Sequence, residues 1–457
     1  MYTFSNKLKM ASIILMIVGI LGIGYGFISS PSTVEEAKAM VAADAHHGGA
    51  ASHGEESHEA TTTHHSEASE DAHHEASASH GDEAAEHASH DAHTLSKLQN
   101  RPWAAFLIAG FFFFMIALGA LVFYAIQHVA QVGWSPVLFR VMEGISSYLF
   151  PGAVILYVFY VLTAGFHMNH LYIWMDPNVM AHDEILQLKS GYLNVPFFLI
   201  RSFIFLAGWV LYRHFVIKNS YAQDEAKDNT YYRKNFKLSV FFLLFFFVTE
   251  SIMAWDWFMG LEPHWYSTLF AWYVFASMFV SAISVIAMIT MYLKSKGVLE
   301  FVNDSHLHDL AKFMFGLSIF WTYLWFGQFM LIWYANIPEE VGYFITRIEH
   351  YNFIFFGMLL FNFVFPFLVL MNSDFKRVNW FVMIAGVSIL VGHYMDIFQI
   401  VMPSTVGELW SFGIPEIGSI LFFLGLFIFV VFGALAKTPS FLAKRNPFVE
   451  ESKHFHY

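Results

Sequence analysis

Ten runs of about 20 or more mostly apolar residues constrain this chain more than any other feature, because a helix of that length crosses about 30 Å of hydrocarbon. They lie near 8–29, 103–128, 147–166, 195–217, 237–258, 267–293, 313–335, 351–371, 378–400 and 414–436. The third is the weakest, since Pro151 and Gly152 interrupt its start. With 57% hydrophobic and 13% charged residues, including 53 Phe in 457 positions, the chain lacks the charge to cover a water-soluble body of this size. The expected fold class is therefore an all-α integral membrane protein with about ten transmembrane helices. Trp103, Trp134, Tyr172, Trp174, Trp265, Tyr266, Trp333, Tyr334 and Trp410 fall at run ends, the level at which amphipathic rings settle.

Lys and Arg give the orientation. With the N-terminus cytoplasmic, eighteen basic residues fall on that side, five (Lys38, Lys97, Arg101, Lys189, Arg347) on the other, and Arg201 inside a run. Both termini are then cytoplasmic. Lys7 and Lys9 ahead of the first run, and Ala-rich sequence after it, also fit a secretory signal. The length of the run favours a retained span, and so does the reversed topology that its removal would leave.

Residues 31–98 hold twelve of the 24 His, and Glu35 to Asp91 contains fourteen acids against the single base Lys38. Without apolar periodicity, this segment is expected to be a disordered extracytoplasmic loop. The irregular spacing of its His defines no ligand set, so a plain solvated loop is the favoured reading, with a mobile metal or proton buffer as the alternative. The remainder divides into spans 2–4 with their connections (99–236), spans 5–10 (237–440) and a cytoplasmic tail (441–457). The chain has no Cys, which removes disulfides, Cys-ligated iron–sulfur clusters and the Cys-x-x-Cys-His haem attachment. Axial His pairs deep in facing helices are lacking too, since only His393 lies deep. Walker, Rossmann and His-Glu-x-x-His patterns do not occur.

Ionisable and amide side chains inside spans are costly and so mark candidate sites. These are Arg201 in span 4, Glu250 and Asp256 in span 5, Gln328 in span 7, and His393, Asp396 and Gln399 in span 9. All fall in the extracytoplasmic half on this orientation; the cytoplasmic half of the same helices reads as Phe, Leu and Val. His393 and Asp396, three apart, share a helix face as a proton relay or a structural pair. Glu250 and Asp256 sit about 120° apart, and Arg201 is a counter-ion for either. Asp256, between Trp255 and Trp257 near the interface, is expected to meet water. Gln328 suits a quinone carbonyl or an interhelical bond. His167 and His170, where span 3 reaches the outer surface, are candidates for a surface headgroup pocket or for simple anchoring.

The aromatic motifs Met253-Ala-Trp-Asp-Trp-Phe-Met-Gly-Leu-Glu262, Pro263-His-Trp-Tyr-Ser267, Trp321-Thr-Tyr-Leu-Trp-Phe-Gly-Gln328 and Trp333-Tyr-Ala-Asn-Ile-Pro-Glu-Glu340 lie within this ten-span layout. Over roughly 100–440 the chain resembles the NrfD-like (polysulfide reductase membrane subunit-like) quinone-binding subunits of bacterial alternative complex III, a quinol:cytochrome c oxidoreductase, and in particular the second, ActF-type subunit. The resemblance implies two four-helix bundles, spans 2–5 and 6–9, flanked by spans 1 and 10. It implies a subunit without its own redox centre that contributes a quinol-sized pocket, a proton pathway or both, with a menaquinone-type quinol. Haem and iron–sulfur centres would sit in partners: a multihaem cytochrome c, an iron–sulfur subunit, a paralogous NrfD-like membrane subunit, small accessory subunits and, optionally, a terminal oxidase. A scaffold whose charges only fix packing, and an independent ion or solute transporter, are the competing expectations.

Overall fold

A computed structural model describes residues 2–47 and 79–454, and among these there are helices and connections but no strand. Among the described residues, ten helices are long and apolar enough to cross a membrane: α1 (Asn6–Ile28), α2 (Asp91–Val129), α3 (Pro136–Gly165), α4 (Val195–Glu225), α5 (Thr230–Leu261), α6 (Phe270–Ser295), α7 (Asp304–Ala335), α8 (Asn352–Met371), α9 (Asn379–Thr405) and α10 (Ile414–Ala436). The protein is an all-α, multi-pass membrane protein. Each of the ten apolar runs becomes one of these helices, and the even count brings both termini to the same end of the molecule.

Helix α2 packs on α3 and α5, and α4 bridges α3 and α5, closing one four-helix bundle. Helices α6–α9 close a second, with α6 against α7 and α9, and α8 between α7 and α9. The bundles meet where α2 lies against α6 and α9, so α2 and α6 form the centre; the most apolar stretch of each is 94% buried, against 17% for α1. Helix α1 packs chiefly on α10 through small residues. A Cβ on Gly22 would stand 2.8 Å from the Cα of Gly418, so this pair crosses at backbone contact.

Local chemistry sets the ends. Asn194 caps α4 by accepting from Phe197 N at 3.0 Å, with Pro196 in the first turn. Asn303 and His306 form a reciprocal cap at the start of α7, and Asn336 ends that helix in the left-handed region at φ 49°. The weak third run does form a span, assembled from short 3-10 and α pieces, with Pro151 early in an α stretch and a π turn at Val161–Gly165. A second π turn, Leu360–Val364, interrupts α8.

The flanks of the His-rich segment depart from the expected loop. Val34–His47 is helical, and the helix that becomes α2 starts at Ser79. Ala and Glu are strong helix formers, and these flanks are rich in both; the two helices are tied by Lys38 Nζ–Asp91 Oδ2 at 2.6 Å, and Gln99 Nε2 donates to Pro31 O at 3.1 Å. The middle of the segment, with six of its twelve His, lies outside the described residues, and the metal or proton buffer with it.

Candidate functional site

All four helices of the second bundle converge on the His393–Asp396 pair. Helix α6 offers Tyr273 and Ser277, four residues apart and so on one face: the Tyr273 hydroxyl donates to Asp396 Oδ1, and Ser277 Oγ donates to Oδ2 at 2.6 Å. Trp321 of α7 donates its indole N–H to Oδ2 at 3.0 Å. On α9 itself, His393 Nδ1 stands 3.4 Å from Oδ2, as the three-residue spacing predicts. Asn362, in the π turn of α8, brings its amide nitrogen within 3.4 Å of the same Nδ1. Gly392 makes room for it, since a Cβ there would lie 2.2 Å from Asn362 Oδ1. His393 and Asp396 are completely buried, and His393 Nε2 and Asn362 Oδ1 have no partner among the described residues.

Chemically, this is a carboxyl held by neutral donors and one imidazole. Such an arrangement offers no fixed cation to an added or lost proton, and the imidazole has a second nitrogen through which a proton can move on. Towards the loop end of the same bundle, Gln328 and Gln399 line a cavity of about 20 Å³ together with Tyr273, Tyr343 and Arg347. That volume holds about one water. Both side-chain polar atoms of Gln399 lack a partner.

Arg347 is a functional candidate that composition concealed, because it falls between spans and counted as a loop charge. It lies on a short helix, Pro338–His350, is 2% exposed, and donates to Gln399 O at 3.1 Å and Tyr343 O at 2.8 Å. Its Nη2 faces Glu262 Oε2 at 3.5 Å, and Ser404 Oγ donates to that oxygen at 3.0 Å. The one available signal was a short polar helix carrying Arg between two spans.

In the first bundle the structure joins Arg201 to Asp256. Two guanidinium nitrogens reach the carboxylate at 2.7 and 3.1 Å, the Tyr192 hydroxyl donates at 2.7 Å, and the guanidinium stacks 4.0 Å from the rings of both Tyr192 and Phe197. Asp256 is 1% exposed, which overturns the water contact expected from its place near the interface. Tyr192 and Phe197, flanking the start of α4, seal it. Glu250 is left without Arg201: it is buried, and its Oε1 has no partner.

The opposite end of this bundle carries a buried polar cluster just beyond its apolar runs. Arg140 Nη1 pairs with Glu143 at 2.6 Å and its Nη2 with Asp224 at 2.5 Å; Ser220 and Tyr124 donate to Glu143 at 2.6 and 3.0 Å. His128 lies beside Tyr124, with neither ring nitrogen partnered, against another cavity of about 20 Å³. Arg140 and Glu143 precede the apolar run of α3 and Asp224 follows that of α4, so the sequence reads them as loop charges. The helices extend past the apolar runs and fold them inward.

His167 and His170 do not form a pocket. Both are exposed, His167 at a positive φ of 50°, and the turn is fastened through Asn100, which accepts from His170 N at 2.9 Å and donates to His170 O at 3.0 Å. Outside the spans, Asp183 caps the helix Glu184–Lys189; the Leu186 N–H, and then His264 at 2.6 Å, hold its carboxyl below the usual range. Among the described residues, no three His, Cys, Asp or Glu gather as a metal site. Compared with known proteins, the chain matches no protein-family model and no curated protein.

Proposed function

We propose that this chain is a membrane subunit of a respiratory quinol:cytochrome c oxidoreductase of the alternative complex III type, and that its own contribution is a proton pathway through the second bundle. The observation that carries the reading is Asp396: a buried carboxyl met by donors from three helices, with no cation bound to it and an imidazole whose far nitrogen is free. Membrane carboxyls without a fixed counter-ion are the usual carriers of protons. The water-sized cavity beside Gln328 and Gln399 suits proton transfer through water better than a quinol headgroup, which would have to displace side chains. In this reading the haem and iron–sulfur centres, the quinol-oxidising site and the paralogous membrane subunit belong to partners. The membrane is the bacterial cytoplasmic one, with the basic, terminus-bearing end inward.

The scaffold reading has support of its own in the first bundle, where Arg201 and Asp256 saturate each other. One experiment separates the two: quinol:cytochrome c turnover and proton release by the purified complex carrying Asp396→Asn, with its subunit composition checked. Turnover or proton release lost from an assembled complex supports the pathway. Unchanged activity leaves the scaffold.

A further inference from the structure

A depression at lipid depth lies along the face of α9 that carries Leu390, Val391, Tyr394 and Met395. Helices α9 and α10 both lean on α2 but diverge from each other, and the space between them, floored by α2 and α6 and edged by α1, is a groove of about 670 Å³. Its walls are apolar side chains such as Phe113, Val285, Leu390, Val391 and Leu424. It runs from Ile420 to Phe432 on α10 and from Met383 to Met395 on α9, about 18 Å by helical rise. That exceeds half of a hydrocarbon core of about 30 Å, the depth that one acyl chain fills.

Its two ends differ. At the end that carries the termini the groove closes on Leu8, Tyr292 and Phe432. Lys7 and Lys9 flank Leu8, and the Lys296 ammonium stands 5.6 Å from the centre of the Tyr292 ring. All three lysines are exposed, and none is in an ion pair with another described residue; the nearby Lys294, by contrast, is matched by Asp304 at 2.8 Å. An apolar slot of chain length that ends in unmatched cations at headgroup level has the shape and charge of an amphiphile with an anionic head.

We propose that this groove seats an anionic phospholipid, one acyl chain lying between α9 and α10 and the phosphate held by Lys7, Lys9 and Lys296. The lipid fills the crevice between the α1/α10 pair and the second bundle, and so acts as part of the packing there.

The test uses the full-length chain in detergent, stripped of lipid and titrated with phosphatidylglycerol or with phosphatidylcholine of the same acyl chains, retention being read by native mass spectrometry and thermal unfolding. Phosphatidylglycerol is expected to bind more tightly and to raise Tm more. Lys7→Ala/Lys9→Ala/Lys296→Ala lowers that preference by about fivefold for each lysine removed. These lysines are exposed, so the variant keeps its fold. Leu424→Trp, which fills the groove, reduces retention of both lipids, whereas Lys227→Ala/Lys234→Ala, at the same end, leaves the preference intact. Equal binding of the two lipids, or a preference that survives the triple replacement, overturns the proposal. So does displacement of phosphatidylglycerol by a menaquinol at equal concentration, which would give the groove to an isoprenoid tail.

Discussion

Each four-helix bundle buries an aspartate late in its last helix, Asp256 on α5 and Asp396 on α9, yet the two are neutralised in opposite ways. Asp256 meets a permanent cation, Arg201, in a two-point contact sealed between aromatic rings. Asp396 meets hydroxyls, an indole N–H and an imidazole. A guanidinium keeps its charge at every accessible pH, so moving a proton onto Asp256 would strand Arg201. Moving one onto Asp396 strands nothing, because hydroxyl donors can rotate and imidazole can change its own protonation. An ionisable residue within a membrane span is thus only the beginning of a functional argument. Whether its partner can change charge decides between a fastening and a path.

The largest effect that would break this contrast is in the first bundle. Arg201→Ala leaves Asp256 buried and unpaired, and removing one partner of a buried pair costs about 3–5 kcal/mol. Thermal unfolding of the purified chain should register a loss of that order, while Arg201→Met combined with Asp256→Leu, which removes both charges, should recover most of it. If the double replacement is stable but abolishes proton release in the complex, Asp256 belongs on a path after all. Next in size is Asp396→Asn. The amide oxygen can take the place of Oδ2 for the Ser277 and Trp321 donors, and the amide N–H can donate to the Tyr273 hydroxyl, which reverses its role, so assembly should survive, and turnover or proton release should fall about 10²-fold, the typical loss when a positioned acid–base group is removed. Equal losses of assembly in both bundles would erase the distinction.

Smaller, and directed at the donors, is Ser277→Ala, which should lower stability by about 1 kcal/mol, the net value of one hydrogen bond. A loss well above that would show that the Asp396 centre is held as rigidly as the Arg201 pair.

Much of the fold was legible because the bilayer enforces one rule along the whole chain: the ten apolar runs give ten helices, and even the run broken by Pro151 and Gly152 holds. The His393–Asp396 pair was legible for a similar reason, since both residues lie on one helix at a fixed spacing. Its donors were not. Tyr273, Ser277 and Trp321 sit on other helices, where they look like ordinary packing residues, and only the closure of the bundle aims them at one carboxylate. Arg140, Glu143, Asp224 and Arg347 were hidden for the opposite reason: hydropathy assigns charges outside apolar runs to loops, whereas helices that extend past the hydrocarbon can turn such charges inward. Asp256 was misjudged because two neighbouring Trp mark the interface, and linear sequence does not show that Tyr192 and Phe197 fold over it. At Val34–His47 and from Ser79 onward, Ala and Glu outweigh the look of a disordered tract.

Glu250 supplies the smallest and sharpest comparison, since it lies on the same helix as Asp256 without a share of Arg201. Its Oε1 has no partner among the described residues, so an amide of the same shape removes no hydrogen bond or ion pair made by that oxygen. Glu250→Gln should therefore change Tm by no more than the shift expected of about 0.5 kcal/mol, the scatter of substitutions that touch no special interaction. It should also leave quinol turnover within twofold if the first bundle is only a fastening. A stable Glu250→Gln chain that loses proton release would give each bundle one acid for structure and one for protons. Destabilisation near the Arg201→Ala value would mean that Glu250 is charged and paired, and that the two acids of α5 share their cation.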